Sequence, residues 1–206
     1  MPAVIDYFYT HISPWAYLGH EAFREIAAMH GATVRLRPVD LSGVFEASGG
    51  LPLGKRHPAR QAYRFIEMQR WRDKRALPLT LKPAFFPTPP GLCDCCAIAL
   101  AEQGGPAPDF TALAFKAIWA EERNIAEEAV LAELLADLGQ DAEAVLAAAR
   151  SEEITAIYRR NQTDAIELGV IGSPCYVLNG EPFWGQDRLD LLDDALTSGR
   201  GPYKSV

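Results

Sequence analysis

Residues 3–19 read AVIDYFYTHISPWAYLG, and the fold turns on how this stretch divides. Ala3 to Tyr9 is β-branched and aromatic with one charge, Asp6, the composition of a strand buried on both faces of a sheet. Ser13-Pro14 then opens a helix, because a serine side chain satisfies a first-turn amide and proline at the first helical position has no amide to leave unpaired. Tyr17, Leu18, Ala22, Phe23, Ile26 and Ala27 continue at helical spacing until Gly31 stops it. Thr33 to Val39 alternates as a second strand, and so short a β-α-β unit implies a right-handed crossover between parallel strands.

At the other end, Cys175–Leu178 and Glu181–Trp184 flank Asn179-Gly180, a dipeptide suited to the positive φ angles of a tight hairpin turn. Gly185 leads into a closing helix, Arg188 to Leu196, with Leu189, Leu191, Leu192, Ala195 and Leu196 on its apolar face and Gly199 beyond its end. The middle is helical: Pro58 to Arg75, Cys95 to Glu102, Asp109 to Glu122, Glu127 to Asp137, Asp141 to Ala149, and Glu152 to Leu168. No repeat is visible. β-α-β, a long helical stretch, then β-β-α is the layout of an α/β thioredoxin-like domain with a helical domain inserted in its middle. The expected boundaries are 1–42 and 152–206 for the thioredoxin-like part and 43–151 for the insertion.

The 206 residues are 49% hydrophobic and 23% charged, which excludes a disordered or low-complexity chain. A net charge of −7 argues against nucleic acid or an anionic membrane as partner. No apolar run approaches the roughly 18 residues of a membrane span, and the first twenty residues, with Asp6 and no basic cluster, do not read as a secretory leader. Four cysteines, three of them clustered, do not make a secreted disulfide framework, so a reducing cytoplasm is expected.

Thiol-disulfide oxidoreductases of this layout carry Cys-x-x-Cys where the first strand meets the first helix, since helix-tip amides and the helix dipole there stabilise a thiolate. Here the four residues are Ser13-Pro14-Trp15-Ala16. If the site is used, its sulfur comes from outside, and glutathione is the obvious carrier, with the Ser13 hydroxyl donating to its thiolate. The plain alternative is that Ser13 only caps a helix. Before the hairpin stands Val170-Ile171-Gly172-Ser173-Pro174-Cys175. In this layout such a proline is usually cis and faces the helix tip, so that Ser173 offers its backbone N–H and C=O to a thiol peptide; an ordinary trans-proline turn is the alternative.

YFYTHISPWAYLG, Gln69-Arg70-Trp71 with Tyr63 eight residues before the Trp, Gly172-Ser173-Pro174, and WGQDRL from Trp184 to Leu189 together resemble the 2-hydroxychromene-2-carboxylate isomerase family. That family is kin to kappa-class glutathione transferases and, more distantly, to DsbA-like oxidases. The resemblance implies a glutathione-dependent isomerase of an aromatic-derived unsaturated oxo-acid, working as a homodimer, with a kappa-like transferase as the alternative. By position it makes Ser13 the residue at the glutathione sulfur and Ser173, before Pro174, the binder of the cysteinyl backbone. It gives the Gly185-Gln186-Asp187 turn the γ-glutamyl end, with Asp187 facing the ammonium. The chain differs from the pattern at Pro52-Leu53-Gly54, where Pro-x-Asn is expected, and at Thr10-His11, where Asp-Phe is frequent.

Residues 55–75 hold eight basic and two acidic side chains in an otherwise acidic chain. Arg56, Arg60 and Arg64 recur at i, i+4 with Tyr63 beside them, so one face either receives carboxylates or is simply solvated. Arg60, Tyr63 and His11 are the expected substrate contacts, His11 being two residues from Ser13. Cys93-Asp94-Cys95-Cys96 contains C-x-x-C but follows no strand, and it lacks a fourth ligand for zinc, so no metal is expected. Cys175 reads as a small strand residue. Two other function classes remain: a noncatalytic thioredoxin-like module, separable by its failure to bind glutathione, and a disulfide oxidoreductase using Cys93 and Cys96.

Overall fold

The computed structural model describes residues 2–204. Strand β1 (Val4–Tyr9) runs parallel to β2 (Thr33–Pro38), with Val4 opposite Thr33 and Tyr9 opposite Pro38. On its other side it pairs antiparallel with β3 (Cys175–Leu178), Phe8 opposite Cys175. The strand β4 (Glu181–Trp184) returns alongside β3. Asn179 and Gly180 make the turn at φ 53° and 84°. The sheet order is β2-β1-β3-β4, which completes the expected β-α-β and β-β-α halves.

The helices are α1 (Pro14–Met29), α2 (Leu41–Ser48), α3 (Pro58–Arg75), α4 (Gly91–Glu102), α5 (Ala107–Trp119), α6 (Glu128–Asp137), α7 (Ala142–Ala149), α8 (Glu152–Glu167) and α9 (Leu189–Ser198). None among the described residues is long and apolar enough to cross a membrane. Alternation along β1 divides the core. Ile5, Tyr7 and Tyr9 face the larger cluster, where the Tyr7 ring lies 4.6 Å from Tyr9, 5.2 Å from Tyr176 and 4.8 Å from Phe23 of α1. Phe8 faces the other way, with Val44 of α2, Ala165 of α8, Val170 and Val177. Asp6 on that second face is matched by Arg35 at 2.6 Å and Arg37 at 3.0 Å from the neighbouring strand. That pairing offsets the cost of a charge in a buried strand. Helix α8 packs on β2 and α2 and also on α4 and α7.

The structure departs from the sequence expectations in the middle of the chain. Helix α2 was not expected, because Gly43 sits inside it. Its ends are nonetheless ordinary: the Asp40 side chain accepts the Ser42 amide at 2.9 Å, and Gly49 closes it at φ 74°. Gly43 is needed there, since a Cβ would stand 1.8 Å from the Gln162 amide nitrogen of α8. Helix α4 starts at Gly91, earlier than expected, with the Asp94 amide bonded to the Pro90 carbonyl at 2.8 Å, so Cys93, Cys95 and Cys96 are all helical and buried.

A second close approach positions the site. A Cβ on Gly19 of α1 would lie 2.4 Å from Gln186 Cβ and 3.0 Å from the Tyr176 hydroxyl. Gly19→Ala should therefore destabilise the protein by about 1 to 3 kcal/mol, reversing the usual gain of about 1 kcal/mol for Gly→Ala inside a helix. Urea unfolding of the variant checks this, and a stability gain would mean that the 186–188 segment is not pressed against α1.

Candidate active site

Ser13 sits where β1 hands the chain to α1. Its Oγ accepts the Ala16 amide at 3.2 Å and donates to the Ser173 carbonyl, 160 residues away in sequence, at 3.0 Å. The Thr10 amide donates in turn to Ser173 Oγ at 3.2 Å. The Ser173–Pro174 peptide bond is cis, and the Pro174 carbonyl accepts the Gly185 amide at 2.9 Å. The start of α1 thus meets both ends of the β3–β4 hairpin at one helix tip. Pro14 has no amide hydrogen and the Ala16 amide is taken, which leaves the Trp15 amide as the tip's free donor among the described residues.

A cleft of about 810 Å³ opens between this tip and α3. Its polar lining includes Ser13, Ser173, Gly185, Gln186 and Asp187. Gln186 is buried and its Oε1 accepts from Arg75 at 3.2 Å, while Asp187 pairs with Arg188 at 2.6 Å. The lining also has aromatic and basic residues from the helical stretch: Phe45, Trp71 and Phe86 with Arg56 and Arg64, and Tyr63. Pro52-Leu53-Gly54 forms part of the rim.

Two expected substrate contacts are not brought to the cleft. Arg60 is exposed and turns away from the lining. His11 is fully buried against Tyr9 and Phe115, with Nδ1 2.6 Å from Asp94 Oδ1. The apolar side of the strand end takes the ring, and Asp94 supplies the polar partner that a buried imidazole requires. The organising residue is Asp94, between Cys93 and Cys95. Fully buried in α4, it accepts from Thr10 Oγ1 at 3.0 Å, from the His11 amide at 3.2 Å and from the Tyr158 hydroxyl at 3.1 Å, besides the His11 ring. Burial, then the Asp94 charge, pushes the Tyr158 hydroxyl well above its ordinary pKa, so it stays a donor. The loop that presents Ser13 is therefore anchored to the inserted helices.

Residues 4–197 match the DSBA-like thioredoxin domain. The chain belongs to this family. Among curated relatives, the 2-hydroxychromene-2-carboxylate isomerase of Sphingobium xenophagum is 29% identical over 198 residues, 95% of this chain and 99% of that protein. Glutathione S-transferase kappa 1 of Caenorhabditis elegans is 26% identical over 204 residues, 93% of this chain and 90% of that protein. A solved 2-hydroxychromene-2-carboxylate isomerase superimposes with a TM-score of 0.83 at 26% identity, covering 95% of each chain.

In this DSBA-like protein all four cysteines are free and buried, and none lines the cleft. Burial, then Asp94, raises the Cys93 thiol well above its usual range and moves Cys95 up to about 11. Burial, then Cys95, pushes Cys96 to about 12, and burial, partly offset by a hydrogen bond from the Phe183 backbone, pushes Cys175 to about 12. Thiols held protonated and covered are poor nucleophiles. The native protein should leave its four thiols unreacted with an aromatic disulfide reagent near neutral pH, all four reacting once denaturant is added; rapid native reaction at Cys93 or Cys96 would restore disulfide chemistry. Asp94→Ala should cost about 3 to 5 kcal/mol, because it strands buried donors, and Asp94→Asn less, since its amide can donate to the two hydroxyls. Chemical denaturation measures both, and a loss below about 0.5 kcal/mol for the alanine variant would remove Asp94 as the anchor.

Proposed function

We propose that this protein binds glutathione in the cleft and isomerises the carbon–carbon double bond of an aromatic-derived unsaturated oxo-acid, as an enzyme of the 2-hydroxychromene-2-carboxylate isomerase kind. The carrying observation is the Ser13 hydroxyl at a helix tip, 3.0 Å from the Ser173 carbonyl, on a wall without sulfur. Bound there, glutathione supplies a thiolate that adds reversibly to the conjugated double bond, so that the bond can rotate before the thiolate leaves.

The chain's own groups fit that ligand. The Ser13 hydroxyl has one proton, and giving it to a thiolate releases the Ser173 carbonyl to accept a cysteinyl amide. The Ala16 amide, donating to Ser13 Oγ, strengthens that hydroxyl as a donor. The free Trp15 amide and the α1 dipole favour negative charge at the same point. Asp187 on the cleft lining is a counter-charge for an ammonium, in exchange for its exposed pairing with Arg188. The aromatic wall of Phe45, Trp71 and Phe86 receives the organic substrate and excludes water from it.

Cytoplasmic work as a homodimer completes the proposal; four unpaired thiols suit a reducing compartment. The similarity to a kappa-class glutathione transferase favours a second reading, in which the conjugate is released. Product analysis separates them: an isomerase returns glutathione unconsumed.

Ser13→Ala should raise the pKa of bound glutathione and slow turnover about 10- to 100-fold, because a hydrogen bond to a charged sulfur is worth about 1.5 to 3 kcal/mol. Titrating thiolate absorbance in the complex reads the shift. Equal pKa values in wild type and variant would leave Ser13 as a helix cap alone.

A further inference from the structure

Arg64 of α3 lines the cleft, yet it is only 9% exposed. Its guanidinium makes no ion pair or hydrogen bond with another described residue, although the cleft contains two acids. Those acids are occupied elsewhere, Glu67 by Arg70 and Asp187 by Arg188. Of the two other guanidiniums on the lining, Arg188 pairs with Asp187, and Arg56 donates to the Leu51 carbonyl at 2.7 Å and has no acidic partner either. What surrounds Arg64 is aromatic: its guanidinium carbon lies 5.7 Å from the ring centres of both Phe65 and Phe86. Ring faces attract a cation, but they do not satisfy five N–H donors. Burial, then Arg56, lowers its pKa to about 10, so it remains charged near neutrality. A desolvated cation without a counter-ion costs folding stability, and the residue's remaining exposure opens onto the cleft.

We propose that Arg64 is the specificity-determining residue of the cleft, binding the carboxylate of the electrophilic substrate while that substrate's ring packs on Phe86 and Trp71. The inference rests on the isomerase reading of the cleft and goes further, assigning the acid group of the substrate to one side chain. Two features give Arg64 to the substrate rather than to the glycyl carboxylate of glutathione. Glutathione has no ring to use the aromatic wall in which Arg64 is embedded. The peptide-binding groups, the Ser173 carbonyl and the Gln186-Asp187 turn, come from the segments that flank the β3–β4 hairpin, whereas Arg64 comes from α3. A carboxylate at Arg64 forms charge-assisted hydrogen bonds in a low-dielectric site, and a neutral ester leaves the charge unpaired, so the cleft selects free acids.

The test uses 4-phenyl-2-oxobut-3-enoate and its methyl ester as probes, with S-methylglutathione present so that no reaction occurs. Binding is followed by calorimetry in wild type, Arg64→Met and Arg64→Lys, alongside glutathione affinity and melting temperature. Wild type should prefer the acid over the ester by about tenfold or more. Arg64→Met should weaken acid binding about 10- to 100-fold, with ester and glutathione affinities within about twofold. Arg64→Lys should retain part of the preference. The Met variant should melt at or above the wild-type temperature, because it removes an unpaired buried charge. Equal wild-type affinity for acid and ester overturns the proposal. So does an unchanged preference in Arg64→Met, whether melting falls, which makes Arg64 a packing residue, or glutathione affinity falls, which gives it to the glycyl end. If the protein binds no glutathione but loses its acid preference in Arg64→Met, the isomerase reading fails and the assignment of Arg64 stands.

Discussion

A serine hydroxyl has one proton to give, and at Ser13 it goes to the Ser173 carbonyl 3.0 Å away. The rest of the architecture serves that meeting. Antiparallel pairing of β1 with β3 sets Phe8 opposite Cys175, so the end of one strand and the approach to the other lie side by side. Thr10 then reaches Ser173 Oγ through its amide. Gly185 bonds back to Pro174, and Gly19 lets the following turn settle on α1. Each contact is modest, at about 0.5 to 1.5 kcal/mol for a neutral hydrogen bond. Together they present a hydroxyl, a carbonyl and a free amide at one point, before any ligand has been bound.

The sheet and its order were legible because they rest on local signals: β-branched and aromatic runs, Ser-Pro at a helix start, Asn-Gly at a hairpin. Ser13, Ser173, Gly185, Gln186 and Asp187 were legible because they lie on those elements, and all five line the cleft. Side chains whose role depends on tertiary surroundings were not. Arg60 and Arg64 share a helical face in spacing, but Phe86 covers one and solvent takes the other. His11 stands two residues from Ser13, yet in the turn after β1 its ring is held in the core by Asp94 and packs on Tyr9. Asp94 looked like a spacer between cysteines; only the fold brings Thr10, His11 and Tyr158 to it.

Asp94 also shows how the helical stretch between the two halves bears on the chemistry. Its carboxyl belongs to α4, whereas two of its partners belong to the loop before α1 and a third to α8. A shift of α4 relative to the sheet would be felt first at Thr10, and through it at Ser173. Much of the cleft lining comes from α2, α3 and the segment around Phe86, so the cleft depends on helices that the sheet alone does not build. A sheet with the same β-α-β and β-β-α order but a different insertion would keep the hydroxyl and lose its surroundings.

The burial of every cysteine away from the cleft has a consequence for durability. A catalyst that keeps its own thiol at a helix tip is inactivated when that sulfur is over-oxidised, and further oxidation beyond the sulfenic state is largely irreversible. A cleft whose wall has no sulfur of its own is free of that route of inactivation. Under the proposed use of glutathione, a damaged sulfur leaves with the ligand, and the polypeptide outlasts it.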